Sequence, residues 1–437
     1  MTRGRAAQVT ASTAVTGPAG LAGSGAGHDA GLREAQSAAV RLLTPPSPED
    51  PYPDYAALRG YAPVFPVAPG VSLVSGYAEC RDILADPAFG VQDAAWYDAN
   101  RPQWREGAAS WTLYQGVQSR NPPDHTRMRR VLGRCFTARR MALLRDRVVA
   151  LTHQFLDEVA DRGSGDAELD LMSALAFPLP ITVINELLGV PAGDRAEVHG
   201  LAGRVFNLTE LIVSDDDRRS ADAAAVTFRR YWAELIAERR KAPGPELTSQ
   251  LIAAADAGEL SDEELLSSLI FLHGAGYGTT AALLGNATVA LLADPALAAR
   301  LRADPRLAPA VVDESLRHEA PTQLTPRLAR RPASRDQAGG TPIPAGHLAV
   351  LLLGAANRDP DRFPEPGRFD VDRPDNRPLS FGGGIHYCLG APLSRMEATI
   401  VLPELVRRFP ALRLAGAPRW RRALRMRQLS SLPVRVS

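Results

Sequence analysis

The sequence predicts one mainly α-helical domain with small β-sheet pieces. Apolar residues recur at helical spacing through residues 124–183 and 198–240, and residues 260–292 indicate one apolar helix of about 30 residues, roughly 45 Å long. Strand signals are short and lie between proline or glycine residues, at 63–75 and 323–353. No repeat interrupts this pattern, so we expect a single domain although the length of 437 residues would allow more.

The two ends of the chain differ in composition. Residues 1–40 are predicted to form a disordered N-terminal tail, and the folded domain is predicted to span 41–437. The tail is rich in Ala, Gly, Thr and Ser and has no aromatic residue, so it buries too little apolar surface to offset the entropy of ordering. It lacks the apolar core of a secretory signal, and a targeting role is the alternative. Residues 425–436 predict a C-terminal β-hairpin.

Composition narrows the class of protein. The formal net charge of +1 gives no field that would favour nucleic acid or an anionic membrane. Cys80, Cys135 and Cys388 are too few for a disulfide framework and fit a reducing compartment. No run approaches the roughly 18 apolar residues that a membrane helix needs. We therefore expect a cytoplasmic protein without a nucleic-acid or membrane partner.

The chemistry of the chain is most visible in residues 381–397, FGGGIHYCLGAPLSRME. The glycines at 382–384 allow a tight turn that can approach something flat or bulky. Cys388 stands just ahead of a helix predicted to begin near Gly390, with Pro392 in its first turn. The unpaired N–H groups of a helix N-terminus are expected to lower the pKa of this thiol. Such a thiolate attacks a substrate, joins a disulfide or binds a metal.

Five positions of this loop resemble the haem-binding loop of the cytochrome P450 family, namely Phe381, Gly384, His386, Cys388 and Gly390. The resemblance implies a P450-type domain with haem b (iron protoporphyrin IX) as cofactor and Cys388 as the axial iron ligand. It also places Phe381, Gly382, His386 and Gly390 at the cofactor. The alternatives are a free cysteine packed at a helix start, or a cysteine nucleophile with His386 as its base.

The long helix contains the sequence GAGYGTT at 274–280. Each glycine inside a helix costs about 0.8–1 kcal/mol relative to alanine, so these glycines need a reason, and close packing or a kink would supply one. The stretch resembles the oxygen-binding groove of the P450 family. By that resemblance Thr279 is the alcohol that helps deliver protons to dioxygen. Ala275 is assigned to the haem, and Gly274 and Gly278 to the substrate pocket.

The family usually has an acid immediately before that threonine, whereas this chain has Gly278. The departure puts the acid–alcohol proton relay in doubt, because water or substrate would then have to carry the proton. It also points toward C–C or C–N coupling, which needs hydrogen abstraction without insertion of oxygen. We count Gly278 and Thr279 together as catalytic positions. His273, one turn earlier, either faces the pocket or packs against a neighbouring helix.

Four residues match the family's contacts with the haem propionates. His125 and Arg129 lie at i, i+4 on one helix face. Arg327 follows on a short strand, and His386 precedes the cysteine by two residues. The alternative for each histidine is an ordinary surface or packed side chain.

Three further residues resemble the family's buried Glu-Arg-Arg network, namely Glu314, Arg317 and Arg368. The resemblance gives them a structural role, which is to fix the irregular segment that carries the cysteine loop. The alternative is an exposed ion pair of little consequence for stability.

Trp96, Trp104 and Trp111 lie where the family has a variable loop over its pocket, and Leu324 is assigned to the same pocket. Rigid aromatic side chains there predict stacking on a planar substrate, with packing of the loop itself as the alternative.

The helix that carries His125 has a basic face, made of Arg127, Arg130, Arg134, Arg139 and Arg140. A solvated surface is one interpretation of that face. The resemblance implies another, in which electrons from NAD(P)H arrive through ferredoxin reductase and an acidic ferredoxin that docks there.

The resemblance as a whole implies a haem-thiolate oxidase or monooxygenase that activates dioxygen to oxidise a mid-sized, partly aromatic secondary metabolite. Hydroxylation and oxidative C–C or C–N coupling are both open, and an indole-bearing cyclic dipeptide is one candidate substrate. The alternatives are a polyketide or other natural-product hydroxylase, and a non-catalytic haem sensor or carrier.

Overall fold

The computed structural model of the chain describes residues 26–332 and 343–437. Within them the predicted class, a mainly helical single domain with small sheets, is confirmed. The helices are α1 (Ala26–Leu43), α2 (Tyr52–Tyr61), α3 (Tyr77–Ala85), α4 (Ala94–Asn100), α5 (Ala108–Tyr114), α6 (Asp124–Gly133), α7 (Ala138–Arg162), α8 (Pro178–Leu188), α9 (Arg195–Phe206), α10 (Asp215–Lys241), α11 (Leu247–Asp256), α12 (Asp262–Ala293), α13 (Pro295–Ala303), α14 (Ala308–His318), α15 (Leu353–Ala356) and α16 (Ala391–Arg408). The strands are β1 (Val64–Ala68), β2 (Val71–Val74), β3 (Phe89–Gly90), β4 (Leu169–Asp170), β5 (Leu324–Ala329), β6 (Leu348–Leu352), β7 (Arg413–Leu414), β8 (Arg419–Trp420), β9 (Leu429–Ser431) and β10 (Pro433–Arg435).

The largest sheet places its strands in the order β1-β2-β6-β5-β3. β1 and β2 form the hairpin predicted at 63–75. β2 pairs in parallel with β6, and β6 pairs antiparallel with β5, where Arg327 stands opposite Ala349. The sheet thus fixes the strand from which Arg327 projects.

The C-terminal hairpin predicted at 425–436 is wrong. β9 pairs with β8, whereas β10 pairs with β4 and β7. Only Leu432 lies between β9 and β10. The tightest common hairpin needs a loop of two residues, so β9 and β10 are too close in sequence to pair with each other. The chain therefore passes from one small sheet into the next.

The N-terminal prediction of disorder is wrong for residues 26–40, while residues 1–25 lie outside the described residues. Helix α1 packs on α2 through a face of small side chains that are almost fully buried, namely Ala35, Ala38, Ala39 and Leu42. These four residues stand at i, i+3, i+4 and i+7, the spacing of an amphipathic helix. Alanine offers little apolar area per residue, so composition alone concealed a face that the spacing reveals.

Helix α12 is the long helix that the sequence predicts at 260–292, and it runs through the core. Ser261 and Glu264 form a capping box in which each side chain accepts a hydrogen bond from the other's backbone N–H. Most side chains of α12 are buried, on every face, against α8, α9, α10, α14 and α16.

In the part of the chain that the structure describes, no single helix has the length and apolar character to cross a membrane. Helices α12 and α13, bent by 110° where they meet, pass that test only as a pair.

Helix α16 follows the cysteine loop directly. Gly390 is its N-cap residue and Pro392 lies in its first turn, as predicted. In that same turn the hydroxyl of Ser394 accepts a hydrogen bond from the Thr280 hydroxyl at 3.1 Å. This contact joins α16 to the glycine-rich part of α12 and so sets the cysteine loop beside it.

Candidate active site

The cysteine loop owes its shape to glycine. Gly382 and Gly384 have φ of +70° and +61°, a left-handed conformation that other residues rarely adopt. A Cβ at Gly384 would also collide with the backbone carbonyl oxygen of Leu84 in α3. The loop closes where the N–H of Cys388 donates to the carbonyl oxygen of Phe381 at 2.9 Å. The thiol is therefore presented on a tight turn at the start of α16.

The predicted pKa shift of the thiol is wrong in its net direction. The N–H groups of Gly390 and Ala391 and the guanidinium of Arg129 lower the pKa of Cys388, as a helix N-terminus should. Burial outweighs them and raises that pKa overall. The side chain is nevertheless exposed on one side, so the thiol is reachable although protein encloses the rest of it. Coordination to a metal would remove the proton outright.

The structure brings together the four residues predicted at the propionates. The rings of His125 and His386 lie 4.3 Å apart between centroids. Arg129 donates to the carbonyl oxygen of Tyr387 at 2.6 Å, directly before the cysteine. Arg327 is close enough to help His386 stay neutral, because burial first and then the Arg327 charge lower the pKa of His386 to about 3. We call these four side chains the polar cluster.

Among residues 26–332 and 343–437, the polar cluster has donors but no anion. In this part of the chain His125 Nε2 and His386 Nε2 are buried without a hydrogen-bond partner. Arg327 donates, within the same residues, only to neutral acceptors, the Thr325 hydroxyl at 3.0 Å and the Pro326 carbonyl at 2.8 Å, and burial lowers its pKa to about 10. Leaving such groups unpaired is costly. A ligand with two carboxylates would satisfy them, so these residues fit the propionates of haem.

The glycines of α12 serve two purposes. A Cβ at Gly274 would collide with the ring of Phe206 in α9, and one at Gly276 would lie 2.8 Å from Ile184 in α8. These two glycines therefore allow close helix packing, and the assignment of Gly274 to an open pocket is corrected. Gly278 is different, since a Cβ there would meet nothing nearer than Gln428 Nε2 at 4.0 Å.

Thr279 and Ala275 lie on the half-buried part of α12, one turn apart. The Thr279 hydroxyl donates to the Ala275 carbonyl oxygen at a long 3.4 Å. A bond this weak leaves the hydroxyl available to another partner. The next residue, Thr280, is instead committed to Ser394.

His273 packs against a neighbouring helix, the second of its two predicted roles. Its Nε2 lies 2.9 Å from the side-chain oxygen of Asn185 in α8. The residue is fully buried, and burial lowers the pKa of His273 to about 3, so it is neutral.

The tryptophan-rich segment packs largely on itself. Trp104 is buried and stacks on Trp111 with ring centroids 5.4 Å apart, and its Nε1 donates to Asp98 at 2.8 Å. The guanidinium of Arg105 lies 4.7 Å from the Trp104 ring centroid. The packing alternative therefore describes Trp104 and Trp111, and substrate contact by Trp96 stays a prediction.

Leu324, which was assigned from the sequence to the substrate pocket, is buried in the core of the large sheet rather than in an open pocket.

The Glu314–Arg317 pair is a fully buried ion pair. Both side chains are 0% exposed, with nitrogen–oxygen distances of 2.6 and 2.7 Å. Arg317 also donates to the carbonyl oxygens of Asn357, Pro366 and Arg368. These bonds tie α14 to the irregular segment ahead of the cysteine loop, as the sequence predicts.

The second arginine of this network is Arg373 and not Arg368. The Arg368 side chain is 60% exposed and pairs with Glu365 and Asp370 at the surface, so only its backbone carbonyl reaches the network. Arg373 is 6% exposed and lies 3.6 Å from Glu314. The motif that suggested Arg368 identified the right segment but the wrong side chain.

Sequence reasoning missed Gln428 altogether. Its side-chain Nε2 donates to the carbonyl oxygen of Gly278 at 2.8 Å, across a sequence separation of 150 residues. No local pattern predicts such a contact. A Cβ at position 278 would lie 4.0 Å from this nitrogen, an ordinary contact, so the amide borders the space beside Gly278 without filling it.

Comparison with known proteins identifies the chain. A family model described as Cytochrome P450 matches residues 88–417. The chain belongs to the cytochrome P450 family. It is a cytochrome P450 monooxygenase, and the family implies haem, which the polar cluster and Cys388 fit.

Relatives of this P450 resemble it over most of its length. The cytochrome P450 monooxygenase PikC of Streptomyces venezuelae is 40% identical over 396 residues, which cover 88% of this chain and 91% of PikC. The 6-deoxyerythronolide B hydroxylase of Saccharopolyspora erythraea is 38% identical and covers 89% of this chain and 96% of its own. The solved structure of CxnD, a P450 for C–S bond formation in chuangxinmycin biosynthesis, has a TM-score of 0.79 at 33% identity and covers 89% of this chain and 94% of CxnD.

Proposed function

We propose that this P450 oxidises a mid-sized, partly aromatic natural product. The observation that carries the proposal is that the helix after Cys388 bonds through Ser394 to Thr280, the residue after Thr279, with the polar cluster at the cysteine loop. The names of the relatives support it, because they include a hydroxylase and an enzyme of natural-product biosynthesis.

The residues of the site would divide the work. Cys388 would bind the haem iron through its sulfur, and the polar cluster would hold the two propionates. Haem, when bound, supplies the activation of dioxygen and the abstraction of hydrogen from the substrate. The protein's task is to place the substrate, exclude water and provide protons.

Proton delivery is where this chain departs from its family. Thr279 carries the only hydroxyl of the Gly278–Thr279 pair, and its weak bond to Ala275 leaves it able to pass on a proton. Because Gly278 has no side chain, the proton has to reach Thr279 from water or from the substrate. Cleavage of dioxygen takes two protons and two electrons whether oxygen is inserted or two substrate positions are coupled. Coupling differs in that two hydrogen atoms leave the substrate and both oxygen atoms end as water, so both outcomes belong to the proposal.

Two substrate classes remain within the proposal. An indole-bearing cyclic dipeptide, joined by C–C or C–N coupling, is supported by the aromatic segment around Trp96. A polyketide or other hydroxylated natural product is supported by the relation to PikC and to the hydroxylase.

The proposed electron source is NAD(P)H through a ferredoxin reductase and ferredoxin. The predicted basic face is divided between α6, the turn after it and the start of α7, which carries Arg139 and Arg140. It is partly neutralised within the protein, since Arg127 pairs with Glu264 at 2.6 Å and Arg134 with Glu259 at 2.8 Å. Exposed Ile385 and Tyr387 lie in the cysteine loop itself. We expect docking to combine these apolar side chains with the remaining charge, and reduction to slow as salt increases.

The first experiment is the absorption spectrum of the dithionite-reduced protein under carbon monoxide. A strongly red-shifted Soret band, absent in Cys388→Ala, is expected for thiolate ligation. A band of the histidine-ligated kind, or no haem binding at all, would overturn the proposal. Product formation with ferredoxin, reductase and NADPH is then expected, whereas tight gas binding without turnover would support the alternative of a non-catalytic haem sensor or carrier.

A further inference from the structure

We propose that the substrate carries a carboxylate, and that Arg421 and Arg425 bind it above α12. The inference rests on the proposed function, because it names the substrate chemistry of the same site. Both arginines belong to residues 421–428, the segment between β8 and β9, which we call the arginine segment.

The arginine segment borders the groove of α12 next to Thr279. Gln428 donates to the Gly278 carbonyl oxygen at 2.8 Å, and Arg421 Nη1 donates to the side-chain oxygen of Gln428 at 3.2 Å. Only one side chain therefore separates the Arg421 guanidinium from the residue before Thr279. Arg421 is itself exposed, so its remaining N–H donors are accessible to a ligand.

Arg425 contacts the turn that follows α9. Its Nη1 donates to the carbonyl oxygen of Thr209 at 2.7 Å, and its backbone N–H donates to the carboxylate of Glu210 at 3.1 Å. Burial lowers the pKa of Arg425, an effect that Glu210 and Tyr114 partly offset. Tyr114 stacks on Tyr97 at 3.9 Å in the aromatic segment, so Arg425 lies near a planar aromatic surface.

The charge at this place is unbalanced. Within residues 26–332 and 343–437, neither the Arg421 nor the Arg425 guanidinium is paired with a carboxylate; both bond to neutral oxygens. The nearest acid, Glu210, has its pKa raised by burial, an effect that the Arg425 backbone N–H and the charges of Arg425 and Arg421 partly offset, so a single carboxylate stands against two guanidinium groups. Other members of the family usually carry an acid at the position of Gly278, where this chain has open space.

These observations favour an anionic group on the substrate over a neutral one. A carboxylate matches the planar fork of a guanidinium and forms charge-assisted hydrogen bonds with it. The missing acid at Gly278 leaves both the space and the positive charge for such a group. An aromatic body would then lie toward Tyr114 and Tyr97.

The test measures dissociation constants of matched probes by calorimetry on the haem-loaded enzyme. The probes are N-acetyl-L-tryptophan against N-acetyl-L-tryptophanamide, and dodecanoic acid against dodecanamide. We expect the acid of at least one pair to bind about tenfold more tightly than its amide at low salt. Arg421→Gln and Arg425→Gln should remove that preference.

Two further variants control for fold and charge. Arg422→Gln makes the same charge change in the same segment, but Arg422 donates to Ser47 and Pro46 on the other side, so the acid preference should persist. Gly278→Glu supplies the anion from the protein and should abolish the preference. The inference is overturned if acid and amide bind with equal affinity in both pairs, or if neither acids nor amides bind. It is also overturned if the preference for the acid survives Arg421→Gln and Arg425→Gln. The carbon monoxide spectrum is recorded on the same samples, so a failure of the haem-thiolate assignment is distinguished from a failure of the arginine site.

Discussion

Two buried polar regions of this P450 differ in whether the protein satisfies its own charges. Around Glu314 and Arg317, carboxylate and guanidinium bind each other, and backbone carbonyl oxygens take up the remaining N–H groups. In the polar cluster, no described residue is a hydrogen-bond partner for His125 Nε2 or His386 Nε2, and Arg327 meets only neutral oxygens among those residues. A satisfied network makes a segment rigid, whereas an unsatisfied one is suited to a ligand. Substitutions in the two regions should therefore fail in different ways.

The largest effect is expected from Arg317→Met. It removes the two hydrogen bonds of the buried Glu314 to its main partner and leaves only Arg373, at 3.6 Å, as a counter-charge. Breaking a buried pair in this way costs about 3–5 kcal/mol of the free energy of unfolding. Urea unfolding of the haem-loaded protein measures the loss. The double variant with Glu314→Leu should recover part of it, because the buried carboxylate is then gone as well. A loss below about 1 kcal/mol would mean that water reaches the pair.

Arg327→Leu should have the opposite signature. It removes an unpaired buried charge, so the apoprotein should be as stable as before or more stable. Haem should instead dissociate about a hundredfold faster, equivalent to about 2.7 kcal/mol, as measured by transfer to apomyoglobin. The exposed Arg331 provides the control substitution, Arg331→Leu, with unchanged haem release. Unfolding of the apoprotein without a change in haem release would contradict the assignment.

His273 is an intermediate case, with one nitrogen bonded to Asn185 and the other unpartnered. Its pKa is lowered to about 3 in the folded state, against about 6.5 when unfolded. Between these values the unfolded chain binds the proton, so stability falls as the pH drops below about 6.5. At pH 5 the loss should be about 2 kcal/mol. In His273→Gln the glutamine can keep the bond to Asn185 but does not bind a proton. Its midpoint of thermal unfolding should therefore fall less between pH 7.5 and pH 5 than that of the unsubstituted protein. Parallel pH profiles of the two proteins would contradict this.

The smallest changes in the free energy of unfolding are expected for substitutions of the two arginines near Glu314. Arg373→Ala should cost about 1–2 kcal/mol, because it removes a buried cation 3.6 Å from Glu314. Arg368→Ala should cost less than about 0.5 kcal/mol, since its pairs are at the surface. Denaturant midpoints of the two variants decide between them. The reverse order would restore the assignment made from the sequence.

Prediction from the sequence succeeded where a local motif sets a local geometry. The turn from Phe381 to Cys388, the helix start at Gly390 and the long helix α12 follow from glycine conformation, capping and apolar pattern within a few residues. It failed where a choice depended on a distant contact. Gly274, assigned to the pocket, makes room for Phe206 of α9. For Trp104 the sequence left substrate stacking and loop packing open, and the structure shows it stacked on Trp111.

The sequence by itself determined the class of this protein, the cysteine that would bind iron and the position of the missing acid. Tertiary structure alone decided that Arg373 and not Arg368 faces Glu314, and that Gln428 bonds Gly278 from 150 residues away. It also decided that residues 26–40 fold, because α1 is ordered by α2. The physical reason is common to all three. Charge pairing and burial depend on which surfaces meet in space, and a linear pattern records only what each segment can offer.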